Sequence, residues 1–250
     1  MTLRVDVIDE LRAAGCVFAD QEAELLASTA TGAELEDLVR RRCCGEPLEH
    51  LLGWVEFRGR RLAVGPGTFV PRRRTELLAE LADDARPAVL VELCCGVAPV
   101  AATCAAEEAY AVDIDPVPLE YARLNAPGAT VLTGDLYASL PRELSGRVDV
   151  IAANAPYVPT AAIATMPAEA REHEPRVALD GGADGLAVHR RIAAEARMWL
   201  ADGGVVLIET GRYQAEYTER LLRAAGFAAR VVTDADRGST VAVGVLEPAH

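Results

Sequence analysis

The segment DVIAANAPYVPT, Asp149 to Thr160, ends an apolar run on an amide, a rigid proline and an aromatic. Asn154 offers an acceptor oxygen and a donor NH2 from one planar group. Pro156 restricts Ala155 to extended backbone, so the carbonyls of this turn point in fixed directions. Tyr157 adds a flat face and a hydroxyl. Together, Asn154, Ala155, Pro156 and Tyr157 could hold a planar amide or amine. Its two N–H groups would donate to the Asn154 side-chain oxygen and the Ala155 carbonyl, with Tyr157 packed on the plane. An amide nitrogen is a poor nucleophile because its lone pair is delocalised. Accepting both N–H bonds favours a more tetrahedral nitrogen, its lone pair aimed at an electrophile. Catalysis would then be proximity, alignment and electrostatics, with no covalent intermediate. Asn and Pro also form ordinary turns, so these four residues alone leave a plain strand end open.

Three further strand ends carry polar groups. In VELCCGVAP the apolar run breaks into a turn, Glu92-Leu93-Cys94-Cys95-Gly96-Val97-Ala98, where Gly96 would let backbone approach a ligand. In AVDIDP, Asp113 and Ile114 follow, and Asp113 lies seventeen positions beyond Gly96. An acid at roughly 20 residues from such a glycine commonly accepts hydrogen bonds from a ribose. In LTGDLY, Asp135-Leu136 closes a third run, and its carboxylate could receive an adenine amine. A dinucleotide turn needs G-x-G-x-x-G and a helix N-terminus on the pyrophosphate. This turn has one glycine where that motif has three. A ligand with ribose and adenine but no phosphates, such as S-adenosylmethionine, fits better.

The elements that must position these residues show in the periodicity. Residues 3–44 read as short helices with glycine stops, and Asp20 is an expected N-cap. GWVEFRGRRLAVGPG alternates like a hairpin turning at Gly59, and TELLAELADDA returns to helix. From Pro87 onward, apolar runs (AVLVEL, AYAVDID, ATVLTGD, RVDVIAAN, GGVVLIET, FAARVVTD, STVAVGVL) alternate with helical or loop stretches. That alternation predicts a parallel sheet covered by helices on both faces. Only Ala235-Asp236-Arg237-Gly238 separates the last two runs, too short for a helical crossover, so they pair antiparallel. Seven strands with a closing antiparallel hairpin make an α/β, doubly wound, class I S-adenosylmethionine-dependent methyltransferase fold. The expected division is a helical domain over 1–52, a hairpin linker with connecting helix over 53–86, and a cofactor-binding domain over 87–250.

Composition narrows the partners. No apolar run approaches the roughly 20 residues of a membrane span, and the first segment carries acids, unlike a signal peptide. A cytoplasmic protein is expected. A net charge of -13 argues against a nucleic-acid backbone as main partner. Every basic residue other than histidine is arginine, and Arg40-Arg41-Arg42 and Arg72-Arg73-Arg74 are read as solvated faces. The six cysteines lack C-x-x-C or Cys/His spacing, so reduced, mostly buried thiols and no metal are expected.

Longer segments carry a resemblance. GEPLEHLLGWVEFRGRRLAVGPGTFVPRRRTELL is similar to the linker of the bacterial protein-(glutamine-N5) methyltransferases, the PrmC/HemK family, with its GEP-(x)-YL-G, EF-G and PRPETE signatures. NAPYVP resembles that family's NPPY motif, EPRVALDGGADGLAVHRRI its EPR-AL-GG-DGL segment, and GGVVLIETGRYQ its GG-L-LE-G-Q strand. The resemblance runs from about Gly45 to the end. It implies an S-adenosylmethionine pocket built from Glu92, Cys94, Cys95, Gly96, Ala98, Asp113, Ile114, Asp135, Leu136 and Asn154. It also implies a glutamine side-chain amide held by Asn154, Ala155, Pro156 and Tyr157, with Arg72 beside the substrate and Asn154, Pro156 and Tyr157 catalytic. The family's substrates are peptide release factors, at a Gly-Gly-Gln loop, and in a sister group a ribosomal protein.

The chain departs from the family at four places, the mildest being Ala155 at a proline position of NPPY, where alanine still lends its carbonyl. Its turn replaces D-x-G-T-G-S-G, so Cys94 and Ala98 stand at two glycine positions. PRPETE becomes Pro71-Arg72-Arg73-Arg74-Thr75-Glu76, trading a proline and an acid for two arginines, and His50 stands at a tyrosine position. A positive φ at either lost glycine costs about 1 kcal/mol or more. Two other readings remain beside methylation of a protein glutamine: a non-catalytic binding paralogue, and methylation of an exocyclic amine on nucleic acid.

Overall fold

The computed structural model describes residues 2–248, so Met1, Ala249 and His250 of the expected domain bounds lie outside them. Among the described residues four helices come first: α1 (Thr2–Ala13), α2 (Ala19–Thr29), α3 (Ala33–Cys43) and α4 (Leu48–Leu52). They close over their own core of Leu11, Ala19, Ala23, Leu26, Leu38, Val39 and Leu51. Asp20 is not the N-cap expected of it. Phe18 holds that position, and Asp20 sits inside the first turn of α2, bonded to Arg12 at 2.6 Å. An acid there still complements the helix dipole.

The hairpin follows as β1 (Trp54–Phe57) and β2 (Arg60–Ala63), and α5 (Glu76–Asp84) leads into the sheet. Arg58 and Gly59 turn the hairpin with φ of 47° and 70°, the handedness that matches strand twist. Asn125 clamps this hairpin to the turn after the first sheet strand. It accepts from Ala63 N at 2.7 Å and donates to the carbonyls of Ala63 and Val97, each at 3.0 Å.

The sheet elements run β3 (Val89–Leu93), α6 (Pro99–Thr103), β4 (Glu108–Asp113), α7 (Pro116–Asn125), β5 (Thr130–Thr133) and β6 (Val148–Ala153). Then come α8 (Ala168–His173), α9 (Ala187–Trp199), β7 (Leu200–Glu209), α10 (Ala215–Ala224), β8 (Ala228–Asp234) and β9 (Ser239–Val245). The seven strands lie in the order β5-β4-β3-β6-β7-β9-β8. β3 to β7 pair in parallel, while β9 runs antiparallel to both β7 and β8. This is the expected doubly wound architecture with its closing hairpin. Every residue of β3 is buried, as a central parallel strand covered on both faces must be. One apolar layer joins α5, α6, α7 and the hairpin to one face of the sheet, and a second joins α9 and α10 to the other. Strand order reverses at β3, flanked by β4 and β6, so their carboxyl ends open a crevice.

Most of the arginine runs are not solvated faces. Arg41 pairs with Glu46, Arg42 with Glu22 and Glu169, Arg72 with Glu174, and Arg74 with Glu209, all half-buried, whereas Arg40 and Arg73 are exposed as read. The thiols differ from expectation too: all six are free, but Cys95 alone is buried and Cys44 is exposed.

Glu92 shows how an acid inside the sheet serves the fold. Its oxygens accept from Val100 N at 3.1 Å and Ala101 N at 2.7 Å, satisfying the first turn of α6. Burial pushes this carboxyl from 4.5 up to about 8, against the pull of the two N–H bonds. Folding thus favours the protonated form. The contribution is complete below 4.5 and is lost as pH rises through about 8. Thermal unfolding across that window is expected to show wild type losing stability relative to Glu92→Gln as pH rises. Parallel profiles would remove this role.

Candidate active site

One cavity of about 810 Å³ occupies the crevice and reaches from the turn after β3 to the turn after β6. On the β3 side, the backbone keeps a left-handed conformation at every second residue: φ is 51° at Cys94, 53° at Gly96 and 60° at Ala98. These are the three glycine positions of the resembling family, so two side chains are carried in a region that costs about 1–2 kcal/mol per residue. Hydrogen bonds hold the turn there. Gly96 N donates to Asp113 Oδ2 at 2.8 Å, Cys95 N to the Val112 carbonyl at 3.0 Å, and Ala98 N to the Cys95 carbonyl at 2.7 Å.

The expected cofactor residues divide by position. Glu92, Cys94, Cys95, Gly96, Asp113, Ile114, Asp135, Leu136 and Asn154 all border the cavity. Ala98 does not. It is fully buried in the apolar layer behind the turn, so its methyl fills core and not ligand space. Glu92 borders the cavity while both its oxygens serve α6. Cys94 is the side chain added to the wall. Burial and the charges of Asp113 and Asp135 push its thiol up, so it remains protonated. Asp113 spends one lone pair on Gly96 N and one on Asp115 N, leaving capacity on each oxygen for a hydroxyl. Burial raises its carboxyl, and those N–H bonds oppose the rise. Ile114 is 53% exposed at the rim, an apolar platform for a flat base. Asp135 holds Arg191 at 2.9 Å.

This donor set fits S-adenosylmethionine. There are carboxylates for hydroxyls and an amine, an apolar platform, and acids in excess for a sulfonium cation. Asp113, Asp115, Asp135, Glu174 and Asp180 line the cavity against Arg72, Arg74, Arg176 and Arg191. Each of those arginines is already paired with a carboxylate, so none stands ready for a pyrophosphate.

On the β6 side, Asn154, Ala155, Pro156 and Tyr157 border the same cavity, as expected of them. The glycines of DGGADG press against the back of this turn. A side chain at Gly181 would come within 2.7 Å of the Pro156 carbonyl, and one at Gly185 would meet the Tyr157 carbonyl and the Gln214 amide. Gln214 Nε2 donates to the Tyr157 carbonyl at 3.0 Å and the Asp184 carbonyl at 3.1 Å. Val158 N bonds the Leu179 carbonyl, and Gly181 N the Val158 carbonyl. The EPRVALDGGADGL segment is thus the mould of the Asn154–Tyr157 turn.

Sequence reasoning placed Arg72 here but missed its partner. Glu174 accepts from Arg72 at 2.6 Å and from Val70 N at 3.2 Å, tying the segment over the cavity to the linker. Glu209, Thr75, Arg74 and Arg191 were also missed. Asn154 Nδ2 donates to Thr75 Oγ1 at 3.2 Å, and Arg74 Nε to Glu209 Oε1 at 3.1 Å. Arg74 also lies over the Tyr157 ring, 6.0 Å from its centroid, and its charge opposes the rise that burial imposes on the Tyr157 hydroxyl. The available signal was the TELL and LIETG segments flanking the motif; their pairing is long-range and has no local pattern. His50 is buried with Nε2 at 3.1 Å from the Thr68 carbonyl, a linker role as expected.

Comparison with known proteins agrees with this geometry. No protein-family model matches the chain. A release factor glutamine methyltransferase from Mycolicibacterium smegmatis is 40% identical over 226 residues, covering 80% of each chain. A 4-amino-L-phenylalanine/4-methylamino-L-phenylalanine methyltransferase from Streptomyces pristinaespiralis is 36% identical over 203 residues, 75% of this chain and 69% of that protein. The crystal structure of a methyltransferase from Pyrococcus furiosus superposes with a TM-score of 0.57 at 15% identity, covering 76% of this chain and 91% of that one, a likeness of fold.

Two substitutions test the two walls. Cys94→Gly is expected to relax the turn and open the cavity, tightening S-adenosylmethionine binding in a calorimetric titration, by a few-fold for about 1 kcal/mol. An unchanged titration would show that the thiol does not obstruct the ligand. Gly185→Ala should displace the Tyr157 carbonyl and lower methyl transfer on the order of 10²-fold while cofactor binding persists. Wild-type turnover in that variant would rule out the moulding role.

Proposed function

The chain belongs to the family of release factor glutamine methyltransferases, and from that membership we propose its reaction. It transfers the methyl group of S-adenosylmethionine to the side-chain amide nitrogen of a glutamine in a protein, and its substrate is a peptide chain release factor. The observation that carries this reading is the single cavity joining the strand ends of β3, β4 and β5 to the Asn154–Tyr157 turn after β6.

The chemistry follows from the residues. The cofactor supplies a methyl group on a positively charged sulfur, an electrophile that needs no activation by acid. Asp113 takes ribose hydroxyls, Asp135 the adenine amine, and Ile114 and Leu136 the base plane. The Asn154 side-chain oxygen and the Ala155 carbonyl take the two N–H bonds of the glutamine amide, and Tyr157 packs on its plane. Those two bonds would draw the nitrogen lone pair out of conjugation and leave it facing the cofactor side of the cavity. With the cofactor's methyl group accepted there in place of its bond to sulfur, the amide nitrogen would release one proton to water. Arg72, held by Glu174, borders the mouth on the substrate side.

We assign substrate recognition to the helical domain over 1–52, with 53–86 as linker and 87–250 as the cofactor-binding domain. Arg42 of α3 reaches across to Glu169 of α8 at 3.0 Å, so the helical domain touches the segment above the cavity. A release factor is met in the cytoplasm, and among the described residues no helix is long and apolar enough to cross a membrane. Methylation of nucleic acid is disfavoured because most arginines of the two runs are spent on carboxylates.

The test is labelled-methyl transfer to a purified bacterial release factor, with mass-spectrometric mapping of the modified glutamine. 4-Amino-L-phenylalanine serves as a second acceptor, because the same slot chemistry suits an aryl amine. Asn154→Ala is expected to lose on the order of 10²–10³-fold in turnover, as for removal of one preorganised polar contact, with the fold intact by circular dichroism. Full activity in that variant, or transfer to the aryl amine alone, would overturn the reading. Absence of S-adenosylmethionine binding at millimolar ligand would turn it into that of a binding paralogue.

A further inference from the structure

We infer that Arg74 is the group that receives the oxygen of the acceptor amide, and so makes the slot selective for a neutral carboxamide over an amine. This rests on the proposed reading, in which Asn154 and Ala155 take the two N–H bonds of that amide.

Asn154 and Ala155 answer only the acceptor's nitrogen, and an amine of similar shape would satisfy both equally well. What sets a carboxamide apart is its oxygen. Enclosed without a donor, that oxygen loses the bonds it made to water. The donors around the turn are mostly spent. Asn154 Nδ2 donates to Thr75 Oγ1 at 3.2 Å, and Gln214 Nε2 to the carbonyls of Tyr157 and Asp184. Val158 N donates to the Leu179 carbonyl. Arg72 borders the cavity too, but its guanidinium bonds Glu174 at 2.6 Å and lies over Phe69, 5.1 Å from that ring.

Arg74 differs in place and in spare capacity. It borders the cavity, and its guanidinium carbon lies over the Tyr157 ring, 6.0 Å from the centroid. That ring is the wall on which the amide plane packs. The next residue, Thr75, meets Asn154, so consecutive linker residues lie against the two ends of the turn. Arg74 Nε donates to Glu209 Oε1 at 3.1 Å, and its side chain makes no other hydrogen bond among the described residues. Both terminal NH2 groups of the guanidinium are therefore unspent. Glu209 is 1% exposed and the Arg74 side chain 40%, so the acid anchors the guanidinium from inside while the arginine stays within reach of a ligand.

Charge balance selects the kind of ligand. Glu209 neutralises Arg74 within the fold, so the pair offers N–H donors without net charge. That suits a neutral carbonyl oxygen, whereas a protonated amine has no acceptor to give it. The resembling family has an acid at this position of its PRPETE signature, and an ionised acid cannot donate to an oxygen. The donor belongs to this chain.

The chemistry also fixes where the effect appears. A donor on the oxygen draws the nitrogen lone pair toward conjugation, so it does not hasten methyl transfer. It holds the amide before and during transfer alike, which lowers KM and leaves kcat unraised. A residue that only kept the turn in shape would act on kcat through alignment.

The experiment compares wild type with Arg74→Met and with Arg74→Met/Glu209→Gln, the second removing the charge that the first leaves unpaired. In methyl transfer to a purified bacterial release factor, both are expected to raise KM about 10–100-fold, with kcat and calorimetric affinity for S-adenosylmethionine each no more than about threefold below wild type. Should the variants fail to fold, wild type alone decides, by nitrogen-15 NMR of its arginine side chains with S-adenosylhomocysteine bound. Adding the release factor is expected to slow solvent exchange of the Arg74 terminal N–H protons. A release factor with leucine in place of the target glutamine, which lacks the oxygen, should leave them exchanging freely. An unchanged KM, a greater fall in kcat, lost cofactor affinity in the double variant, or free exchange in the wild-type complex would each overturn the inference. No transfer to the release factor by wild type would instead sink the proposed function, a separable result.

Discussion

The cavity depends on how the carboxyl end of β3 turns. From Cys94 to Ala98 the chain takes a left-handed φ at alternate residues before α6 starts at Pro99. Two acids of the sheet make this possible. Glu92 answers the first N–H groups of α6, and Asp113 answers Gly96. Asn125 adds a bond to the Val97 carbonyl, bringing the hairpin onto the turn. With so many partners fixing the same backbone, a conformation that glycine adopts freely is imposed on a cysteine and an alanine as well. The fold therefore tolerates substitutions at glycine positions and stores strain of about 1–2 kcal/mol at each.

Much of this architecture was legible because it is local. Period-two and continuous apolar runs gave every sheet strand, and the short Ala235–Gly238 link gave the antiparallel close. Asn154, Asp113 and Asp135 stand at strand ends, where polar residues interrupt an apolar run and are easily seen. What was not legible lies in pairings across the chain. Arg72 finds Glu174 at 102 positions' separation, and Arg74 finds Glu209 at 135, and neither pattern exists in any window of sequence. Charge runs look alike whether they face water or buried acids, so the arginine triplets misled. Ala98 misled for another reason: a left-handed residue turns its side chain away from where the neighbouring spacing suggests. The N-cap lies two positions before Asp20 because helix starts without a side-chain cap leave no local marker.

Charge placement links the composition to the site. A chain of net charge -13 has acids to spare, and it spends several on arginines beside the cavity. Exposed pairs of this kind contribute little. The pairs of Glu174 and Glu209 differ, because each acid is almost wholly buried and would be costly alone. Their arginines neutralise them while holding the linker between hairpin and α5 against the sheet. The result is a cavity whose cations are all committed and whose remaining acid capacity suits a positively charged sulfur.

The two walls of the cavity are joined by strand pairing and anchored separately. Leu93 pairs with Ala153, so the cofactor turn and Asn154 start side by side. Beyond that point their supports diverge. The β3 turn leans on Glu92, Asp113 and Asn125. The β6 turn leans on Gly181, Gly185, Gln214 and Thr75. No residue is common to both sets, and changes without shared partners act nearly independently. The β3 turn has lost two glycines and the β6 turn one proline relative to the resembling motifs, and Ala155 keeps the carbonyl that the lost proline would offer. Divergence on the cofactor side can thus alter affinity without disturbing the alignment of the acceptor nitrogen. In a reaction driven by alignment, the slot is the part that must stay fixed.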